Sequence, residues 1–132
     1  MNFNFIKMKT TENITKTNPE HSFSLDKLNE IGNNDKTFRI EMLNQFLSLA
    51  RESSEKMLSA LKQNDLVKLK QAAHKGVPSY AILDLSDIVN MLKTIENDII
   101  KDGNVDSVRA IVELFDQKNT IIIKEIEIYL KE

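Results

Sequence analysis

The sequence predicts an all-α protein, an up-down antiparallel four-helix bundle with a short extra helix at its N-terminal end. Its 132 residues suit a single domain, and 41% of them are hydrophobic, which is enough to fill one core. Only three Gly and two Pro occur, whereas a sandwich or barrel needs many tight turns. Apolar residues recur at steps of three and four along most of the chain, which is the period of an amphipathic helix.

Composition also excludes several classes of function. The chain has no Cys, so disulfide frameworks, thiol catalysis and cysteine-ligated zinc are ruled out. The 18 basic and 20 acidic residues leave a formal net charge of −2, and we therefore expect no nucleic-acid or membrane partner. No stretch approaches the ~20 apolar residues of a membrane span, and no signal-peptide core is visible, so we predict a cytoplasmic protein.

The chain is predicted to divide into a disordered leader, residues 1–22, and a bundle domain, residues 23–132. The leader is mostly polar, and it lacks the hydrophobic period of a helix or strand. It contains His21, one of only two histidines, for which we expect no role.

The first part of the domain predicts a short helix and a long one. The apolar edge of the short helix comprises Phe23 or Leu25, then Leu28 and Ile31, and Gly32 ends the helix as a C-terminal cap. The long helix covers approximately residues 36–63, after cap candidates at 33–35, and would be about 40 Å long at 1.5 Å per residue. Its apolar stripe comprises Phe38, Met42, Phe46, Leu49, Ser53, Met57 and Ala60. A stripe of that length is buried only if other helices run alongside it.

Three further helices complete the predicted bundle. Asp65 is the expected N-cap of the third helix, and Ser86 that of the fourth, which ends at Gly103. The third helix has an apolar face formed by Leu66, Leu69, Ala73, Val77 and Tyr80. The last helix has the most regular seam, formed by Val105, Val108, Val112, Phe115, Asn119, Ile122, Ile126 and Tyr129. Connections of a few residues favour antiparallel neighbours.

His74 is the one residue for which the sequence suggests a chemical role. Two histidines without Cys do not make an ordinary structural zinc site, and no motif for independent catalysis occurs, so we expect no metal or cofactor. Lys70, Gln71 and Lys75 give His74 a polar, positive setting. An exposed imidazole is partly neutral near pH 7, and ammonium groups offset the charge of an incoming phosphate. Composition alone still favours a plainer interpretation, a surface histidine without a role.

Residues 71–83, QAAHKGVPSYAIL, resemble the phosphohistidine segment of histidine phosphotransfer (HPt) domains. The usual form of that segment is Ala-His, two residues, Lys, then Gly or Pro, then a small residue. The turn before the third helix, and Leu92 with Glu96 in the fourth, also resemble the family, and the resemblance covers nearly the whole chain from about residue 23 to 130. The family's Lys falls at Val77, and its Gly ten residues after the histidine falls at Asp84.

The resemblance implies a phosphorelay intermediate. His74 would accept a phosphoryl group from the aspartyl phosphate of a response-regulator receiver domain and pass it to another receiver, and a hybrid histidine kinase is the other implied partner. The receiver would supply Mg²⁺. Lys70 and Lys75 would stabilise the phosphate and Gln71 would hydrogen-bond it. The resemblance also implies that three residues shape the helix and allow close approach: Gly76, Pro78 and Ser79.

The alternative is a noncatalytic, HPt-like bundle that docks on a receiver or kinase and regulates it by occupancy. We expect a monomer, although dimerisation through the long final helix stays open. A carboxylate-lined metal bundle would need inward Glu-x-x-His pairs, which the sequence lacks.

Overall fold

The computed structural model describes residues 22–102 and 105–132, without the side chains of residues 98–102 and 105. Most of the predicted leader, with His21, and the predicted stop at Gly103 lie outside these residues. Five helices and no strands occur in the described part: α1, Asp26–Ile31; α2, Lys36–Lys62; α3, Leu66–Ala81; α4, Ser86–Asp102; and α5, Val105–Lys131. The predicted all-α class and helix order are confirmed.

Polar caps fix where the central helices begin. The Asp35 carboxylate accepts a hydrogen bond from the Phe38 N–H at 2.7 Å, and the Asp65 carboxylate accepts one from the Lys68 N–H at 3.0 Å. Each bond satisfies one of the backbone donors that a helix start leaves unpaired. Ser86 was predicted to be the N-cap of the fourth helix, but it is the first residue of that helix. Helix α4 therefore begins one residue earlier than predicted.

The turns use Asn and Asp where the backbone is left-handed. Gly32 has an ordinary φ of −93°, so it does not supply the left-handed conformation expected of a C-terminal glycine. A Cβ on Gly32 would lie 2.2 Å from Cδ2 of Phe38, so this glycine instead makes room for an aromatic ring. The left-handed residues, with φ between 55° and 59°, are Asn33, Asn34, Asn64 and Asp84.

The four long helices enclose one core, which α1 covers at one end. Helix α2 packs against α3 and α5, and α4 packs against the same two helices, so α3 and α5 lie on a diagonal of the bundle. Leu28 of α1 is buried, and the Ser24 N–H donates to the Leu83 carbonyl at 2.9 Å, which holds the N-terminal end onto the turn between α3 and α4. In the stripe predicted for α2, Phe46, Ser53, Met57 and Ala60 are buried, whereas Phe38, Met42 and Leu49 are only half-buried. The fully buried side chains of the core include Leu43, Met57, Leu69, Ala73, Leu92, Ile95, Val108, Val112, Phe115 and Ile126.

A buried polar network crosses the core between α3, α5 and α2. The Tyr80 hydroxyl donates to Asn119 Oδ1 at 2.6 Å, and Asn119 Nδ2 donates to the Ala50 carbonyl and to Ser54 Oγ, both at 2.8 Å. Burial raises the pKa of the Tyr80 hydroxyl, against the opposing effect of its hydrogen bonds with Ser53 and Asn119. No buried polar side-chain atom in the described residues lacks a partner, so the network is fully satisfied.

No helix within the described ranges is both long and apolar enough to span a membrane.

Candidate functional site

His74 lies on the outward face of α3. Its neighbours Ala73 and Gly76 are buried, whereas 75% of the His74 side chain is exposed. The rotation of α3 about its axis is fixed by the inward residues Leu69, Ala73 and Tyr80, all of which are fully buried. The imidazole is therefore held at the surface by the packing of the same helix.

The carboxylate of Glu96, on α4, contacts the His74 ring. Glu96 Oε2 lies 2.6 Å from His74 Nδ1, and only 20% of the Glu96 side chain is exposed. An ionised carboxylate can only accept a hydrogen bond, so it favours the tautomer with the proton on Nδ1. In that tautomer Nε2 carries a lone pair, and no described residue forms a hydrogen bond with Nε2. In the neutral ring with this tautomer, the unprotonated nitrogen is the one that faces away from Glu96.

Glu96 was not among the predicted site residues. It is separated from His74 by 22 residues, and the two meet only because α3 and α4 pack side by side. The one signal in the sequence was the Leu92 and Glu96 pair of the family resemblance. Leu92 is fully buried against α3, and this contact fixes where Glu96 lies relative to His74.

Lys70 is the predicted cation that stays near His74. It lies one turn before His74 on α3, and residues four apart are neighbours on a helix surface. Lys70 is half-buried, so neighbouring residues cover part of its aliphatic stem.

Gln71 and Lys75 lie towards the other side of α3. Both line an open groove between α2 and α3, away from Glu96. The Lys56 ammonium lowers the pKa of the Glu52 carboxyl by hydrogen bonding and charge, and the Lys75 charge lowers it further. The structure thus divides the polar residues predicted around His74 between two sides of one helix.

The three residues predicted to shape the helix occupy different environments. Gly76 is buried, and a Cβ there would lie 3.4 Å from Leu92 Cδ1 and from Tyr80 Cε2. The close approach that Gly76 allows is therefore between helices of the bundle, and not between the chain and a partner. Pro78 is exposed within the continuous helix α3, and together with Ser79 it lines an apolar groove towards α2.

The two departures from the family pattern have different structural consequences. Val77, where the family has Lys, is half-buried and packs against the core, so it supplies no charge. Asp84, where the family has Gly, has a φ of 56°. Asp tolerates this left-handed conformation better than most residues, so the turn keeps a backbone shape that Gly favours. The Asp84 carboxylate also pairs with Lys27 at 2.9 Å.

Among the described residues, no group of three or more His, Asp and Glu side chains is arranged to hold a metal ion.

Comparison with known proteins adds information on the fold. No protein-family model and no curated protein matches this sequence. In three dimensions the chain is similar to the HPT domain of a sensor hybrid histidine kinase from Shewanella, with a TM-score of 0.72 and 20% sequence identity. The match covers 85% of this chain and 96% of that domain. The chain therefore has an HPt-like helical fold, as the sequence predicted.

Proposed function

We propose that this chain is a phosphorelay intermediate that carries a phosphoryl group on His74. The observation that carries the proposal is the exposed imidazole of His74. Its Nδ1 contacts the Glu96 carboxylate, and its Nε2 has no hydrogen-bond partner among the described residues. The HPt-like fold supports it, because that fold is shared with a domain of a sensor hybrid histidine kinase.

The proposed transfer is a displacement at phosphorus. The Nε2 lone pair attacks the phosphorus of an aspartyl phosphate on a receiver domain, an N–P bond forms, and the P–O bond to the aspartate breaks. The aspartate leaves as a carboxylate. The Nδ1 proton stays on the ring, and the Nδ1–H group donates a hydrogen bond to Glu96, whose negative charge offsets the positive charge that the ring gains. Transfer to a second receiver is the reverse displacement.

We infer unequal roles for the polar residues predicted around His74. Lys70, one turn away on the same face, is the principal electrostatic support for the phosphoryl group, while Lys75 and Gln71 lie further round the helix and contribute less. The receiver would bind the Mg²⁺. The partner proteins of this chain would be receiver domains or a hybrid histidine kinase. Such a carrier works in the cytoplasm, where we place it.

The direct test is phosphotransfer with a matched histidine control. The purified chain is incubated with a phosphorylated receiver domain from the same cell, and acid-labile, base-stable phosphate on the chain is assayed. We expect label on the wild type and on His21→Gln, and none on His74→Gln. Label on His74→Gln would contradict the assignment, because another residue would then be the acceptor.

A second function, noncatalytic docking, is favoured by one observation. Val77 is apolar and packs against the core where the family resemblance places a lysine, so the charge near His74 is weaker than the family pattern provides. Under this function the wild type and His74→Gln would bind a receiver equally and neither would take up label. A binding titration run beside the transfer assay therefore separates the two functions.

A further inference from the structure

A groove lies between α4, α5 and the turn that joins α3 to α4. Its volume of about 300 Å³ is at the lower end of the range for cavities that hold ligands. The buried residues Leu85, Ile88 and Ile122 form its floor. Ile121, on the α5 side, is 56% exposed. An apolar floor beside an exposed isoleucine gains most from an apolar occupant, because burial removes apolar surface from water.

The charges at the rim of the groove do not select an ion. Asp87 on α4 and Lys118 on α5 have opposite signs. The third charged residue of the rim, Asp84, is already paired with Lys27 at 2.9 Å. Because these charges offset one another, we expect apolar side chains to provide most of the contact with an occupant.

The chain enters the described part of the structure at this groove. Ser22, the first described residue, lines the groove, and its N–H and hydroxyl donate to the two carboxylate oxygens of Glu125 at 2.9 and 3.0 Å. The Ser24 N–H donates to the Leu83 carbonyl, in the turn between α3 and α4, at 2.9 Å. Residues 1–21 are therefore attached to a residue of the groove itself, which three hydrogen bonds hold in place.

Residues 1–21 contain one apolar cluster close to their beginning. It comprises Phe3, Phe5, Ile6 and Met8. Residues 9–21, in contrast, contain a single large aliphatic residue, Ile14. Two of the six phenylalanines of the chain belong to the cluster, and the other four all pack in the bundle core. Aromatic side chains gain strongly from burial, so the cluster is the part of this segment that suits an apolar groove.

We propose that residues 3–8 bind the groove between α4 and α5 of the same chain. The thirteen residues 9–21 connect the cluster to Ser22 and can span at most about 43 Å. Helix α4, with 17 residues, is only about 26 Å long, so the whole groove is within reach. The connection also gives an effective concentration on the order of 1 mM, at which a weak contact fills the groove. For residues 3–8, the proposal replaces the expectation of disorder.

The groove is separate from His74. None of its lining residues belongs to α3, and they lie instead on the turn after α3, on α4, on α5 and at Ser22. The proposed contact therefore does not rest on the proposed phosphoryl transfer, and the transfer assay does not decide it.

Tryptophan fluorescence of the full chain is the first test, because the chain has no Trp of its own. In Phe5→Trp, the indole should emit at a shorter wavelength in the native chain than in urea, and iodide should quench it less. Adding Ile121→Lys should return the emission to that of an indole in water. Adding Ile128→Lys is the matched control and should change nothing, since Ile128 is 57% exposed on the same helix but does not line the groove.

Three results of the fluorescence test would overturn the proposal. An indole of Phe5→Trp that already emits as in water would show that the segment does not bind the bundle, which would leave the groove to a different partner. A shift that is lost on dilution would show that a second copy supplies the segment. Equal effects of Ile121→Lys and Ile128→Lys would place the segment outside the groove.

Unfolding in urea tests the same contact in chains without the indole. Phe5→Ser should lower the unfolding midpoint of the wild type. It should lower the midpoint of Ile128→Lys equally, but leave that of Ile121→Lys unchanged, because residues that share a contact have non-additive effects. An equal fall in all three chains, or no fall in any of them, would contradict a contact between the segment and the groove.

Discussion

His74 and Tyr80 lie six residues apart on α3, and the two polar side chains differ in burial and in hydrogen bonding. His74 is three-quarters exposed, has a single described partner, and keeps one ring nitrogen unbonded. Tyr80 is completely buried, and its hydroxyl is hydrogen-bonded to Asn119 and to Ser53. A group left partly unsatisfied at the surface is available for chemistry, whereas a fully satisfied buried group fixes the position of the helix that carries it.

The energetics of the two residues should differ in the same way. Removing one partner of a buried hydrogen bond leaves the other unpaired, which destabilises a fold by about 1–3 kcal/mol. Substitutions at exposed positions are usually within about 0.5 kcal/mol of neutral. We therefore expect changes around His74 to alter transfer and changes around Tyr80 to alter stability.

The largest effect on rate, short of replacing the histidine, is expected at Glu96. Glu96→Ala removes the acceptor that holds the proton on Nδ1 and offsets the charge of the ring. Transfer to His74 should slow on the order of 10–100-fold, since each factor of ten corresponds to about 1.4 kcal/mol. Single-turnover transfer from a phosphorylated receiver measures this rate. Glu41→Ala, at an exposed position on α2, is the control; equal slowing in both variants would remove Glu96 from the mechanism.

The second effect is a loss of stability at Tyr80. Tyr80→Phe keeps the ring between its neighbours but leaves Asn119 Oδ1 without its donor. The free energy of unfolding should fall by about 1–3 kcal/mol in a urea titration, while transfer per folded molecule stays within about twofold. Tyr129→Phe, at a half-buried tyrosine of α5, should lose less stability. An unchanged unfolding midpoint for Tyr80→Phe would mean that the network does not stabilise the bundle.

The same tyrosine predicts how stability depends on alkaline pH. Burial raises the pKa of Tyr80 in the folded chain above its ordinary value of 10.0. Above pH 10 the unfolded chain releases this proton while the folded chain keeps it, so rising pH favours unfolding. The stability difference between wild type and Tyr80→Phe should shrink by about 1 kcal/mol between pH 10 and 11. A difference that stays constant over this interval would show that Tyr80 ionises alike in both states.

The smallest effect is expected at the lysines. Lys70→Ala should slow transfer by roughly two- to fivefold, since a partly exposed charge contributes up to about 1 kcal/mol. Lys75→Ala should have a smaller effect, because Lys75 lines the groove on the α2 side of the helix. Transfer at low and high salt provides the measurement, since screening should reduce the Lys70 effect. The reverse order of the two variants would contradict the division of polar residues around α3.

The elements of the fold were predictable because each one has a local signal. The apolar steps of α5 from Val108 to Ile126 and the cap at Asp65 predicted structure without reference to the rest of the chain. The buried position of Asn119 also followed from its place in that seam. Its hydrogen bond to Tyr80 did not follow, because the bond depends on how α3 and α5 face each other across the core.

The site was predictable only in part for the same reason. His74 and its exposure could be predicted from one helix, but the contact with Glu96 depends on the packing of α3 against α4. Gly76 was interpreted as an opening for a partner, although only the packed bundle reveals that Leu92 occupies the space beside it. Spacing places Lys75 about 100° round the helix from His74, but only the packed bundle shows that Lys75 lines the groove towards α2.

The most direct test of the separate roles of His74 and Tyr80 compares His74→Gln and Tyr80→Phe in one transfer experiment, with label counted per folded chain. We expect no label on His74→Gln, whose fold and unfolding midpoint should match those of the wild type, and nearly full label on the less stable Tyr80→Phe. Label retained by His74→Gln, or lost from folded Tyr80→Phe, would contradict the separation of chemistry and structure along α3.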